Sequence, residues 1–134
     1  MKFKAAILYK SKHDLVVDHI MIKDKLKWGQ VLIKINYSGI CGSQVNEIDA
    51  VRGPDKFLPH LLGHEGSGEV VEVGPGVKRM KVGDEVIINP LLFCGCCKAC
   101  LESKENQCFS MGMLGETTNG TNCEFISVNQ RNLL

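Results

Sequence analysis

At 134 residues the chain is long enough for one domain with a real core and too short for two comfortable ones. Its 44% hydrophobic and 23% charged residues are those of an ordinary globular protein. A net charge of +1, with lysines and carboxylates interspersed, leaves no basic face for nucleic acid or an anionic membrane.

The N-terminal stretch "MKFKAAILYKSKHDLVVDHI" has neither a continuous apolar run nor a small-residue cleavage site, and it alternates as a strand does. No segment approaches the ~18 apolar residues of a membrane-spanning helix. A cytoplasmic, thiol-reducing setting is the expectation. The odd count of seven cysteines, two of them the adjacent Cys96 and Cys97, argues against a disulfide framework.

In chain order, "KAAILY" and "LVVDHIMI" predict two early strands. "QVLIKINYSGI" predicts a third, with Val31, Ile33, Ile35 and Tyr37 on one face and Lys34, Asn36 and Ser38 on the other. After Cys41, "SQVNEIDAV" loses the alternation and predicts one short helix. Glycines then crowd at 63, 66, 68, 74, 76 and 83. Between them "EVVEV" and "DEVIIN" predict short strands, joined by the turn stretches "GPG" and "VGD". "CEFISV", Cys123 to Val128, predicts the last strand, with Cys123 in the core. Short strands at close spacing with glycine turns predict a mainly β, barrel-like antiparallel fold with one short helix.

Between two of those strands, "FCGCCKACLESKENQC" puts five of the seven cysteines into a polar excursion, with the lobe bounded by residues 93–109. Cys94, Cys97, Cys100 and Cys108 follow C-x2-C-x2-C-x7-C. Such spacing lets four thiolates converge on one ion, and zinc prefers a closed all-sulfur tetrahedron, which is structural rather than catalytic. A polar lobe with little to bury needs that metal to stay folded. An iron–sulfur cluster is the rival occupant of four cysteines. Cys96 is left as a free fifth thiol.

A second constellation lies upstream: Cys41 and Ser43 in "SGICGS", His64 and Glu65 in "LLGHEGSGEVVEVGPGV". Cysteine and histidine are the ligand types of a catalytic zinc that keeps one position open. Singly, each has a plain structural reading: a core cysteine, a satisfied histidine, a helix cap.

Gly63 to Val77, G-H-E-x2-G-x5-G-x2-V, resembles the signature of the zinc-dependent medium-chain alcohol dehydrogenases. "GICGS" is similar to that family's first catalytic-zinc motif, "VGPGVKRMKVGDEV" to the strand pair after the signature, and the four-cysteine stretch to its structural zinc lobe. The motifs come in the family's order and cover essentially the whole chain. The resemblance implies the GroES-like catalytic domain, a distorted β-barrel with two zinc sites. It also implies Cys41 and His64 as catalytic-zinc ligands, Ser43 as the hydroxyl that bonds the substrate oxygen and starts the proton relay, and Glu65 as a neighbouring or exchangeable ligand. The reaction implied is Lewis-acid activation of an alcohol followed by hydride transfer to a nicotinamide.

Several positions depart from the family. Gln44 stands where an Asp often orients the ligand histidine, and Asn46 where some members carry a relay histidine. A further zinc ligand and the nicotinamide-binding Rossmann domain would follow the point corresponding to Leu134. "GPGVKRM", Gly74 to Met80, has no third glycine and sits between strands, so it reads as a turn rather than a dinucleotide fingerprint. The chain is therefore expected to be the N-terminal part of an NAD- or NADP-linked alcohol or polyol dehydrogenase, acting on an alcohol, polyol, aldehyde or ketone. On its own it is expected to bind zinc without turnover, and any homo-oligomer contacts fall to the cofactor domain. A stand-alone zinc-binding interaction module is the second reading. A nucleic-acid-binding zinc ribbon leaves Cys41, His64 and Glu65 unexplained, and a co-chaperonin has no use for two metal sites.

Overall fold

The computed structural model describes residues 1–22 and 25–134. Among the described residues, nine strands and two short helices follow in the order β1 Lys2–Leu8, β2 Val16–Met21, β3 Gln30–Ser38, α1 Gly42–Ile48, β4 His60–Leu61, β5 Gly66–Val73, β6 Glu85–Ile87, β7 Leu91–Leu92, α2 Lys98–Leu101, β8 Gly112–Met113 and β9 Phe125–Asn129. Single 3-10 turns occupy Glu105–Gln107 and Gln130–Asn132.

The strands form a four-stranded sheet β6-β5-β3-β9, a three-stranded sheet β2-β1-β4 and the two-stranded pair β7-β8. All named pairings are antiparallel. In β1 the period-two pattern is kept: Phe3, Ala5 and Ile7 are buried while Lys2 and Lys4 face solvent. The apolar faces meet in one main cluster of Val31, Ile33, Val70, Val86, Ile88, Ile126, Val128 and Leu133, with Leu114 beside them. Each such side chain contributes ~1.5–3 kcal/mol on burial, so this layer fixes the frame on which everything else is hung. A smaller cluster, Ala5, Ile7 and Leu61, lies under the three-stranded sheet, and Cys123 packs against both. The Ala5–Cys123 bridge and the edge-to-face Phe3–Phe125 pair, 5.7 Å between centroids, tie the two sheets together.

This is the mainly β, GroES-like barrel that the strand pattern and the resemblance lead one to expect, with two local differences. The alternation in β3 is interrupted twice: irregularities in its pairing with β5 fall at Leu32/Ile33 and Ile35/Tyr37, with Leu32 buried beside Val31 and Ile33 and Tyr37 turned out, 79% exposed. Cys123 precedes rather than opens the last strand, which begins at Phe125. The "GPG" stretch is a turn between β5 and β6, pinned by Gly29 N–H donating to Pro75 O at 2.7 Å and by Gln130 Oε1 accepting from Lys78 N–H and Arg79 N–H. Among the described residues no helix is long and apolar enough to cross a membrane.

Candidate metal centres

The cysteine lobe leaves the barrel through β7 and returns through β8. Between residues 93 and 111 only Ala99 and Cys108 are buried, while Leu101 and Phe109 stand 74% and 82% exposed. Packing therefore does not hold this loop. Four sulfurs converge in it instead: Cys94, Cys97, Cys100 and Cys108 present them within 4.8 Å of one another. Individual Sγ–Sγ separations are 3.5 Å for Cys97–Cys100, 3.6 Å for Cys94–Cys108 and 4.0 Å for Cys94–Cys100. A tetrahedron of sulfurs at the zinc–sulfur bond length has edges of ~3.8 Å, which these three separations bracket.

The backbone is arranged to carry thiolate charge. Cys97 N–H donates to Cys94 Sγ at 3.3 Å, Cys94 N–H to Cys108 Sγ at 3.4 Å and Ser110 N–H to Cys108 Sγ at 3.4 Å. N–H donors from Cys96 and Cys97 bring the Cys94 thiol down to about 6, and those of Cys100 and Phe109 lower Cys97. Cys100 goes the other way, pushed to about 12 by desolvation and by sharing protons with its neighbours. Arg131 clamps the entry to the lobe: its Nη1 donates to Cys94 O at 2.9 Å and its guanidinium lies 5.9 Å from the Phe93 ring centroid. All seven cysteines are free, and Cys96 is exposed beside the four.

The second group is built differently, on the barrel itself. Cys41 ends the run from β3 and is the N-cap of α1; Gln44, three residues on, returns its side-chain oxygen to Cys41 N–H at 3.1 Å. The plain reading of Ser43 as a helix cap is thus not what the fold uses, because Cys41 caps the helix two residues earlier and Gln44 already serves the first turn. Ser43 Oγ, Gln44 Nε2 and His64 Nδ1 are all buried without a partner. Such atoms are costly to leave unpaired in a finished protein, and three of them at one corner mark it as a place meant to receive something.

His64 and Glu65 lie between β4 and β5, and with Cys41 they bring one ligand atom each within 4.8 Å. His64 Nε2 is 3.9 Å from Glu65 Oε1, with the histidine side chain mostly buried and the glutamate 54% exposed. A thiolate, an imidazole and a half-exposed carboxylate form a donor set suited to zinc, and the exposure on the Glu65 side leaves the corner open. Beside it runs an apolar groove of about 510 Å³ lined by Tyr37, His64, Glu65, Ile87, Ile88 and Pro90.

What positions His64 lies outside the motifs. Gly63 has φ +103°, and the 114–122 segment crosses directly behind it: a methyl group on Gly115 or Gly120 would come within 2.4 and 2.0 Å of Gly63 O. Thr121 N–H donates to Gly63 O and Gly120 N–H to Leu61 O. The crossing segment is held in turn by buried His60, whose ring bridges Asp55 Oδ2 at 2.5 Å and Thr118 O at 3.0 Å. Glycines around His64 are visible in the chain, but that their partners are Gly115 and Gly120 follows only from the fold.

Relatives carry the same architecture. Residues 27–134 match the alcohol dehydrogenase GroES-like domain family. An alcohol dehydrogenase class-3 of Dictyostelium discoideum is 40% identical over 105 residues, which make up 78% of this chain and 27% of that protein. Among solved structures, a cobalt- and zinc-bound thermostable alcohol dehydrogenase from Pyrobaculum aerophilum superposes with a TM-score of 0.90 at 28% identity, over 100% of this chain and 41% of the other. Galactitol-1-phosphate dehydrogenase from Escherichia coli does so with a TM-score of 0.89 at 32% identity, over 98% and 37%. The chain spans between about a quarter and two-fifths of the length of these proteins. With the fold, the four-sulfur lobe and this match in agreement, the chain belongs to the zinc-dependent medium-chain alcohol dehydrogenases, in the part that forms their GroES-like domain.

Proposed function

We propose that residues 1–134 form the catalytic-domain portion of a zinc-dependent, NAD- or NADP-linked dehydrogenase of alcohols or polyols, completed by a nicotinamide-binding domain. The observation that carries this reading is the coexistence of two unlike donor sets, one closed and made of sulfur alone, the other open and flanked by an unpartnered buried hydroxyl. Cys94, Cys97, Cys100 and Cys108 would hold a structural zinc; Cys41 and His64, with Glu65 as neighbouring or exchangeable ligand, would hold a catalytic one. When bound there, zinc supplies Lewis acidity that lowers the pKa of an alcohol hydroxyl toward neutrality.

The chain's own residues then have separable jobs. Ser43 Oγ, buried and uncommitted, accepts the proton of the substrate hydroxyl and passes it on. Asn46 is exposed and its amide does not relay a proton, so the next carrier is water. Tyr37, Ile87, Ile88 and Pro90 present apolar surface that keeps water from the reacting carbon. Gln44 fixes the start of α1, and so the direction of Cys41, through the bond to Cys41 N–H. A cytoplasmic setting is part of this reading, since free thiols that hold a metal suit a reducing compartment.

Metal analysis of the purified chain tests the reading. The expected content is two zinc ions per chain, falling to one in Cys41→Ala, and a cobalt ion at the open site should change its visible spectrum when an alcohol is added. One ion in both proteins, or a cobalt spectrum indifferent to alcohols, overturns it.

A further inference from the structure

The four-sulfur lobe contains five thiols. Cys94, Cys97, Cys100 and Cys108 account for one tetrahedron, and Cys96 is exposed in their midst with no place in it. We propose that Cys96 is the resolving thiol of a peroxide-sensitive switch in which it forms a disulfide with Cys94 and so ejects the metal from the lobe; this rests on the zinc reading above.

Of the two ligands nearest to Cys96 along the chain, Cys94 is the one placed to pair with it. Adjacent Cα atoms across a trans peptide lie ~3.8 Å apart, below the ~4.4 Å minimum for an ordinary disulfide, which disfavours Cys97. Residues two apart in an extended chain approach ~7 Å, the upper limit for closure. Between Cys94 and Cys96, however, stands Gly95 at φ +75°, a left-handed turn that shortens the span. The turn is fixed from outside, since Arg131 Nη1 holds Cys94 O and would lie 2.5 Å from any Cβ at position 95.

The chemistry balances with a hydroperoxide as oxidant. The Cys94 sulfur, an anionic ligand, attacks one peroxide oxygen: an S–O bond forms, the O–O bond breaks and hydroxide leaves, taking a proton from solvent. The unligated Cys96 sulfur then attacks the Cys94 sulfenic acid; the S–S bond forms, the S–O bond breaks, and the departing hydroxide leaves as water with the thiol proton. Two thiols are oxidised by two electrons and one peroxide is reduced to two waters. Three sulfurs remain for the ion, and the loop around them has almost nothing else to keep it folded.

The experiment uses the zinc-loaded full chain and its Cys96→Ser variant, with zinc content measured first, so that failure to hold the lobe metal would count against the zinc reading alone. Both are exposed to hydrogen peroxide, followed by peptide mass spectrometry and then by dithiothreitol with added zinc. In the wild type the expected product is a Cys94–Cys96 disulfide with one zinc released, and the reductant restores zinc binding. In Cys96→Ser the Cys94 sulfur runs on to sulfinic acid, and zinc rebinding after reduction falls by about fivefold or more, because that state is not reversed by a thiol. A wild type that gives no Cys94–Cys96 disulfide, or a Cys96→Ser protein that regains zinc as fully as the wild type, overturns the proposal. Cys123→Ser, a thiol outside the lobe and pushed up to about 12 by burial, should behave as the wild type.

Discussion

The lobe and the Cys41–His64–Glu65 corner use the same element chemistry on opposite structural terms. In the lobe the ligands come from one short stretch, the loop buries almost nothing, and backbone N–H groups are turned inward to bear sulfur charge. In the corner the ligands come from distant parts of the chain and are held by the sheet, by the Gly63 crossing and by a helix cap before any ion arrives. On the proposed reading, one metal would make its site and the other would find it. The difference predicts that perturbing metal and perturbing packing will strike the two regions unequally.

The largest effect should follow chelation of the lobe metal or Cys100→Ser. A structural zinc in a loop without a core supplies ~10 kcal/mol or more of apparent folding free energy to that loop. Residues 94–111 should become open to proteolysis while the β1–β9 barrel keeps its hydrogen-exchange protection. A protease map unchanged after metal removal would mean the loop stands on its own. The same site has a pH sign. Cys100, pushed to about 12, must lose its proton on binding, whereas Cys94 is ionised above about 6. Zinc affinity should therefore rise with pH across neutrality and fall as acid reprotonates Cys94, which a titration between pH 5 and 9 in steps of about one unit would register.

Next comes packing behind the corner. His60→Ala would leave the Asp55 carboxylate buried with only Phe57 N–H as a partner, a loss of ~3–5 kcal/mol. Urea denaturation should show it, and zinc in the lobe should be untouched. Gly120→Ala should cost about 3 kcal/mol, since its methyl group meets Gly63 O at 2.0 Å and neither backbone can yield cheaply. It should also weaken metal binding at Cys41 and His64 by displacing Gly63. Gly42→Ala is the control: nothing lies within 4 Å of that position, so the change should be neutral or slightly stabilising in a helix. Equal losses at positions 42 and 120 would show that the crossing does not carry the site.

The same contrast explains what the chain disclosed when read residue by residue. The lobe was legible because its information is local: ligand spacing along C-x2-C-x2-C-x7-C is nearly its geometry. The strands were legible where one face is buried, as in β1, and illegible where a bulge resets the pattern, as at Tyr37. Cys41 and His64 were connected only by resemblance to a family, because their meeting depends on how β3 and β5 pair. Residue type alone offers Ser43 as a cap, whereas Cys41 stands where the helix begins and Gln44 reaches back to it. Gly115 and Gly120 gave no sign, since a glycine selected for the backbone it touches looks like any turn glycine.

The smallest and sharpest test concerns Gln44. In this chain it is 5% exposed and spends its oxygen on Cys41 N–H, while its amide nitrogen and His64 Nδ1 have no partner. An amide gives the corner no charge, whereas an imidazole bound to a cation through Nε2 becomes a better ligand when an acceptor takes its Nδ1 proton. Gln44→Glu keeps the side-chain length, and hence the reach to Cys41 N–H, and changes the buried donor into a carboxylate oxygen. Cobalt binding at the open site should tighten by about tenfold, near 1.4 kcal/mol, with lobe zinc and the folding midpoint little altered. If the cobalt titration does not move, Gln44 acts on the helix start alone, and the corner's affinity is set by Cys41, His64 and Glu65 without help from the residue behind them.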